Sequence, residues 1–399
     1  MTYKEARVYL DEVSKYGSVL GLDTIRGLLR ELGNPQDDLE FIHIAGTNGK
    51  GSVLAYTSTI LSEAGYRIGR YVSPTVVSYL ERIQIDGKMI TEESFAGLIQ
   101  RIKEAIARMK AVGEPHPTVF EIETAMAFLY FRERKCDFVV LETGFGGLLD
   151  ATNVIGAPVC AVFSSISRDH MGILGDTLEE IAQNKAGIIK KGCIVVTTGQ
   201  KKEVKAILQK EAEKKGCPFI EADRNAVEIL EENYRGSRFS YKGYKELRIS
   251  LAGRHQIENA VTVLEVIESL KRKGYVIPMD CVYRGMEKTV WIGRFSCILE
   301  HPLVIVDGAH NEEAAQRLCE NIQRYFKNRR LIYIMGVFRD KEYEKIAQIM
   351  CPFACSVYTV DLPDSQRTLP AECLAEVVKK YCISVRAEKS VEAAVDAAL

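Results

Sequence analysis

Nothing in this sequence has the look of a membrane span, a secretion signal or a nucleic-acid-binding stripe. Its apolar runs fall well short of the roughly 20 residues needed to cross a bilayer. The N-terminus, MTYKEARVYLDEVSKYG, is charged and amphipathic where a signal peptide would need an apolar core. With 53 basic against 54 acidic residues there is no global positive field, which argues against nucleic acid as the main partner. No C-x-x-C occurs. The eleven cysteines are odd in number and scattered, most of them inside apolar strand-like runs, as Cys160 and Cys193 are; the nearest pair, Cys351 and Cys355, has a proline between its members. This pattern predicts reduced core thiols in a cytoplasmic protein in preference to disulfides or a zinc site. Low-complexity segments and internal repeats are lacking too.

What is present is 399 residues of globular composition, 47% apolar and 27% charged, enough for two or three domains. Short apolar runs (41–45, 68–72, 138–141, 159–163, 194–197) alternate with helical patterns (53–64, 93–112, 120–135, 177–185). Such alternation predicts a parallel sheet covered by helices on both faces. From about 222 to 251 the pattern changes to short antiparallel strands with turns at Gly236 and Gly243, a small appended sheet. A helix starting at GRHQIENA follows. A second alternating set (304–307, 331–336, 355–360, 383–386) predicts a smaller α/β domain. The predicted division is therefore 1–293, an α/β domain carrying the appended β segment, and 294–399, a Rossmann-like α/β domain.

The segment FIHIAGTNGKGS, Phe41 to Ser52, reads as a buried strand, a glycine-rich turn and a helix start. Gly46, Gly49 and Gly51 let the backbone curl so that successive N–H groups face an anion, Lys50 adds a mobile positive charge, and Ser52 a hydroxyl that can reach a metal. This is the design of a nucleotide phosphate cradle, although Gly51 separates lysine from serine where the common P-loop has them adjacent. An ordinary strand-to-helix turn with a solvated lysine is the alternative. In parallel α/β sheets ligands bind beyond the carboxyl ends of the strands, and three further strands run into polar residues there: Ser73-Pro74, Glu142, and the segment holding Asp169 and His170. Glu142 is a candidate magnesium ligand, with Ser52 or Ser73 supplying a hydroxyl; a loop or capping carboxylate is the plainer reading. A lone His170 is ambiguous. Lys185 near a helix end reads from spacing alone as a cation complementing the helix dipole. DGAHN, Asp307 to Asn311, follows the first strand of the second domain and could equally be a turn.

With these residues assembled, the chain resembles the folylpolyglutamate synthase/dihydrofolate synthase family of Mur-type ATP-dependent amide ligases. The resemblance runs in order along nearly the whole chain: HIAGTNGKGS, SP…ERI, PTVFEIETAMAF, LETGFGGLLDATN, DHMGILGDTLEEIAQNKAGIIK, HQIENA, GRF and DGAHN. It implies that Gly49, Lys50, Gly51 and Ser52 cradle the ATP phosphates and that Ser73, Glu142 and His170 bind magnesium, with two Mg²⁺ ions expected. Lys185 would be carbamylated. Asn259, Arg294 and Asp307 would contact the nucleotide, and His310 would lie near the γ-phosphate or the glutamate subsite. Thr118, Val119, Phe120 and Glu121, with Leu149, Asp150 and Ala151, match pterin-binding segments. Lys50, Lys185, His170 and His310 form the implied catalytic set.

The implied reaction joins L-glutamate to dihydropteroate or to a tetrahydrofolate (poly)glutamate. ATP phosphorylates the carboxylate, because hydroxide is a poor leaving group, and the glutamate amine then displaces phosphate from the acyl phosphate. The resemblance also implies a monomer, with neither nucleic acid nor membrane as partner. Thr75, Leu148, Ile292 and Glu312 depart from the family pattern. The pattern also continues for one more strand, which leaves the second domain expected to lack its last strand. Two alternatives stay open: a Mur-type ligase acting on another carboxylate, and a nucleotide-binding member without ligase activity.

Overall fold

In the computed structural model every residue is described except 18, 20, 169–173 and 365. The chain divides into two compact units. The first comprises residues 1–231, 237–250 and 256–291; the second comprises 232–236, 251–255 and 292–399.

The first unit is built on eight strands: β1 (Phe41–Ala45), β2 (Ile68–Tyr71), β3 (Ile83–Ile85), β4 (Lys88–Met89), β5 (Phe138–Glu142), β6 (Cys160–Phe163), β7 (Ile194–Thr197) and β8 (Phe219–Glu221). Their spatial order is β4-β3-β2-β5-β1-β6-β7-β8. The six strands from β2 to β8 pair in parallel, while β3 and β4 are added antiparallel at one edge. All five residues of β1 are buried, as expected of a central parallel strand covered on both faces. On one face Phe41, Tyr71, Val139 and Leu141 pack with helices Glu92–Ala111 and Val119–Glu133. Further along that face Ala45, Ala161, Phe163 and Val195 pack with helices Leu178–Ala186 and Lys202–Lys214. On the opposite face lies helix Lys50–Glu63, where Arg70 of β2 donates to Thr59 Oγ1 at 3.0 Å. This helix is buried nearly all round; helix Met279–Lys288 comes so close that a Cβ at Gly285 would sit 2.6 Å from Ile60.

The segment expected to form an appended sheet does so, with β9 (Val227–Asn233), β10 (Gly236–Tyr241) and β11 (Tyr244–Ile249) in the order β11-β10-β9. Gly236 opens β10; the turn itself is at 234–235. Helix Arg254–Arg272 follows.

The second unit holds an antiparallel pair, β12 (Ser296–Glu300) with β13 (Leu303–Val306), and a parallel sheet β14-β15-β16 (Ile332–Met335, Ser356–Thr359, Val385–Ala387). Its core is formed by Phe295, Ala315, Ile322, Phe326, Val357 and Leu374 among others. The cysteines are free thiols; eight are buried, Cys297 is half-buried, and Cys355 and Cys373 are exposed. No helix among the described residues is long and apolar enough to cross a membrane.

Candidate active site

The phosphate-loop expectation begins with β1. The chain leaves this strand at Gly46 and turns back as helix Lys50–Glu63, with Gly49 at the N-cap in the left-handed region (φ 90°). A helix from Val53 was expected; it starts three residues earlier, so Lys50, Gly51 and Ser52 form its first turn, where unpaired N–H groups and the dipole favour an anion. The glycines here are spaces filled by other side chains. A Cβ at Gly46 would collide with Ser164 Oγ; one at Gly49 would lie 2.6 Å from Asn259 Oδ1, and one at Gly51 2.7 Å from the indole nitrogen of Trp291. The loop is tied to the turn after β6: Thr47 N donates to Ser165 O at 2.7 Å, and the Thr47 hydroxyl donates to Ser167 O and accepts from Ser167 N.

Lys50 Nζ donates to the carbonyls of Gly46 and Thr47 at 3.3 and 3.4 Å and lies 3.9 Å from Glu142 Oε1. Glu142 is the last residue of β5 and is 5% exposed; its other oxygen accepts from Ser73 N at 3.4 Å. Lys185, also buried, reaches across from helix Leu178–Ala186 to donate to Gly46 O at 2.8 Å. Four sequence-predicted residues from four segments, Lys50, Ser73, Glu142 and Lys185, thus meet at the carboxyl edge of the sheet. Ser52 Oγ is buried without a hydrogen-bond partner among the described residues. The buried Glu142 carboxylate beside Lys50 and the unpartnered hydroxyl two residues on from Lys50 are hard oxygen donors, and their chemistry fits magnesium. No cluster of three or more His, Cys, Asp or Glu poised for a metal occurs among the described residues; His170, the third expected ligand, lies outside them.

Asn259, on helix Arg254–Arg272, is held by Gln256, which accepts from its Nδ2 at 3.1 Å. In the second unit, Asp307 accepts from the N–H groups of Phe295 and Ala309, both at 2.8 Å, and Gly308 donates to Gly293 O at 2.9 Å. A Cβ at Gly308 would be 2.8 Å from Arg294 Nη1. Arg294 and the 307–310 loop are therefore packed together, with His310 Nδ1 at 2.8 Å from Gly308 O.

The two expected pterin segments take different positions. Thr118 caps helix Val119–Glu133, and Glu121 closes a capping box: its carboxylate accepts from Thr118 N at 2.8 Å and Thr118 Oγ1 at 2.9 Å. Burial pushes the Glu121 carboxyl up, against the pull of these donors. The Phe120 ring covers Gly144 so closely that no side chain fits there, which seats it directly beyond Glu142. Asp150 is buried and accepts from Phe145 N at 2.6 Å, Thr152 N at 3.0 Å and the Thr152 hydroxyl; burial raises its pKa despite these donors. Ala151 is buried, whereas Leu149 is exposed. Because the Thr152 hydroxyl gives its one proton to Asp150, it must accept from His43 Nε2, 2.9 Å away, which fixes the His43 tautomer and links β1 to the loop after β5. Sequence reading missed Thr47, Ser164, Trp291 and His43, since each acts through a partner distant in the chain.

A phosphate loop, a strand-end carboxylate and a buried lysine at the edge of a parallel sheet define a class: a nucleotide-using α/β enzyme. Comparison with known proteins narrows it. Residues 44–267 match the Mur ligase middle domain, and residues 293–399 the Mur ligase glutamate ligase domain. The chain is 38% identical over 363 residues to a dihydrofolate synthase/folylpolyglutamate synthase of Bacillus subtilis, covering 89% of this chain and 84% of that one. It is similar to Mycobacterium tuberculosis folylpolyglutamate synthase complexed with ADP and AMPPCP, with TM-score 0.89 and 30% identity, covering 99% and 90% of the two chains. E. coli FolC in complex with DHPP and ADP gives TM-score 0.86 at 28% identity, covering 98% and 91%. The chain belongs to the Mur ligase family, in its folylpolyglutamate synthase/dihydrofolate synthase branch.

Proposed function

We propose that this protein is an ATP-dependent carboxylate–amine ligase that joins L-glutamate to a folate-type carboxylate, dihydropteroate or a tetrahydrofolate (poly)glutamate, through an acyl phosphate. The reading takes it to work as a cytoplasmic monomer. The observation that carries it is the meeting of Lys50, Glu142 and Lys185 around the Gly46–Ser52 turn.

The first-turn N–H groups of helix Lys50–Glu63 and the Lys50 ammonium bind the nucleotide phosphates. Lys50 now rests on two loop carbonyls, bonds it can exchange for phosphate oxygens of higher charge. Withdrawing electron density from the γ-phosphoryl eases its transfer to the folate carboxylate. Magnesium, when bound, supplies further charge neutralisation there, and Ser52, Ser73 and Glu142, with His170, would hold it. Phe120 and the Leu149–Ala151 segment bound the folate side, next to Glu142 through Gly144. Asn259, Arg294 and Asp307 contact the nucleotide, and His310 serves its γ-phosphate or the incoming glutamate. The glutamate amine must arrive unprotonated to attack the acyl carbon and expel phosphate. Carbamylation of Lys185 belongs to the same proposal. The neutral amine adds CO₂ and loses a proton, which replaces a cation by a carboxylate beside the phosphate loop; a carbamate carbon signal in the ¹³C NMR spectrum of the intact protein in ¹³C-bicarbonate, absent from Lys185→Ala, tests it.

ADP release, measured with dihydropteroate or tetrahydrofolate and with or without glutamate, tests the whole. Glutamate-dependent release is expected. Release that requires a different carboxylate would favour another Mur-type ligase, and nucleotide binding without turnover would refute ligase activity.

A further inference from the structure

The loop after β5 and the end of helix Leu178–Ala186 are interlocked through their backbones. A Cβ at Gly147 would lie 2.8 Å from Lys185 O, and one at Gly187 2.5 Å from Leu148 Cα. Leu148 N donates to Asn184 O at 2.8 Å. One buried side chain spans this seam: Asn153 Nδ2 donates to Leu148 O at 3.0 Å and to Gly187 O at 3.2 Å, using both its hydrogens, one on each side. Two carbonyl acceptors identify that atom as the amide nitrogen and not the oxygen.

Two residues upstream of Gly187, Lys185 extends its ammonium to Gly46 O in the phosphate loop. Four residues upstream of Asn153 begins the Leu149–Ala151 segment. The amide therefore joins a folate-side segment to the lysine on the phosphate side. We propose that Asn153 is a positioning residue for ligation: it locks these two segments into one body, so that carboxylate and phosphoryl are presented in register. Misplacement by about an ångström is enough to cost on the order of 100-fold in rate. The inference rests on the roles given above to Lys185 and to the Leu149–Ala151 segment.

Asn153→Asp keeps the shape but turns both donated contacts into oxygen facing oxygen. The expected result is kcat lowered by about 10- to 100-fold, with affinity for ADP, measured by calorimetry, kept within about twofold. Activity relative to the parent should recover as pH falls, because the protonated acid regains one O–H donor. A merely structural role would lower nucleotide affinity and thermal transition together with kcat, and low pH would restore all three in step. Gly187→Ala attacks the same seam from the other side and should reproduce the loss of kcat with ADP affinity retained. Parent-like kcat in both variants, or loss of ADP affinity in step with kcat, overturns the inference. Lys185→Ala separates the levels. If that variant remains active, the reading of the site fails; if it is inactive while Asn153→Asp is unimpaired, only this inference fails.

Discussion

Two glycine-rich loops leave the same edge of the large sheet and use their polar groups in opposite ways. In the turn after β1, Gly46, Gly49 and Gly51 face side chains: Ser164, Asn259 and Trp291. In the loop after β5, Gly144 and Gly146 likewise face side chains, of Phe120 and Asn184, while Gly147 faces the backbone of Lys185; the polar residues Asp150 and Thr152 there satisfy the loop's own N–H groups and each other. The first loop leaves one polar group unsatisfied, the Ser52 hydroxyl, buried and unpartnered among the described residues; the second uses its polar groups to hold itself together. Glycine content does not distinguish the two loops. What their polar groups bond to does.

The largest effect expected concerns the carboxylate that stands between the loops. Glu142→Ala should lower glutamate-dependent ADP release by at least about 100-fold while leaving the fold intact by circular dichroism; near-normal turnover would remove Glu142 from the site. The comparison itself is sharpened by paired alanines. Gly49→Ala meets Asn259 and must hold φ 90°, so weakened nucleotide binding is expected first. Gly147→Ala meets only backbone, so a loss of about 1–3 kcal/mol in stability is expected, with ADP affinity little changed. Equal losses of nucleotide affinity in both variants would erase the distinction.

The link between the loops is pH-sensitive. His43 is fully buried, and burial, aided by the charge of Lys190, lowers its pKa to about 3. Its folded pKa lies below its unfolded value near 6.5, so the unfolded chain binds the extra proton in that window. Stability should therefore be full above about pH 6.5 and fall by about 1.4 kcal/mol for each unit below it, down to about pH 3. His43→Gln should flatten that limb of a denaturant-midpoint profile taken against pH, and an unchanged slope would place the acid sensitivity elsewhere. The smallest effect expected is at the first expected pterin segment. Thr118→Ala removes a cap worth about 1 kcal/mol, lowering the melting temperature. A change in folate KM larger than that in kcat would add a substrate contact to the cap.

Much of this was legible before the structure. The parallel strands were, because a strand buried on both faces must be a continuous apolar run, and β1 and β7 match their expected bounds. The short antiparallel strands β3, β4 and β12 were not, since two to five partly polar residues carry no clear period. Among site residues, Lys50, Ser73 and Glu142 were legible from the glycine-rich turn and the strand-end rule and again in the family pattern, whereas Lys185, on a helix, read from spacing as a dipole-complementing cation and gained its role only from the resemblance. Asn259 came only from the resemblance, since its approach to Gly49 joins residues far apart in sequence. The local T-x-x-E spacing of Thr118 and Glu121 also announces a capping box, so one short motif carries a structural meaning beside the implied pterin contact.

Trp291 is the chain's one tryptophan, and it lies against Gly51 in the turn that would hold the phosphates. The protein thus carries its own optical probe, a single indole that red-edge excitation selects over the 18 tyrosines. Titrating ADP while following its emission should report occupancy of that turn directly, without a label.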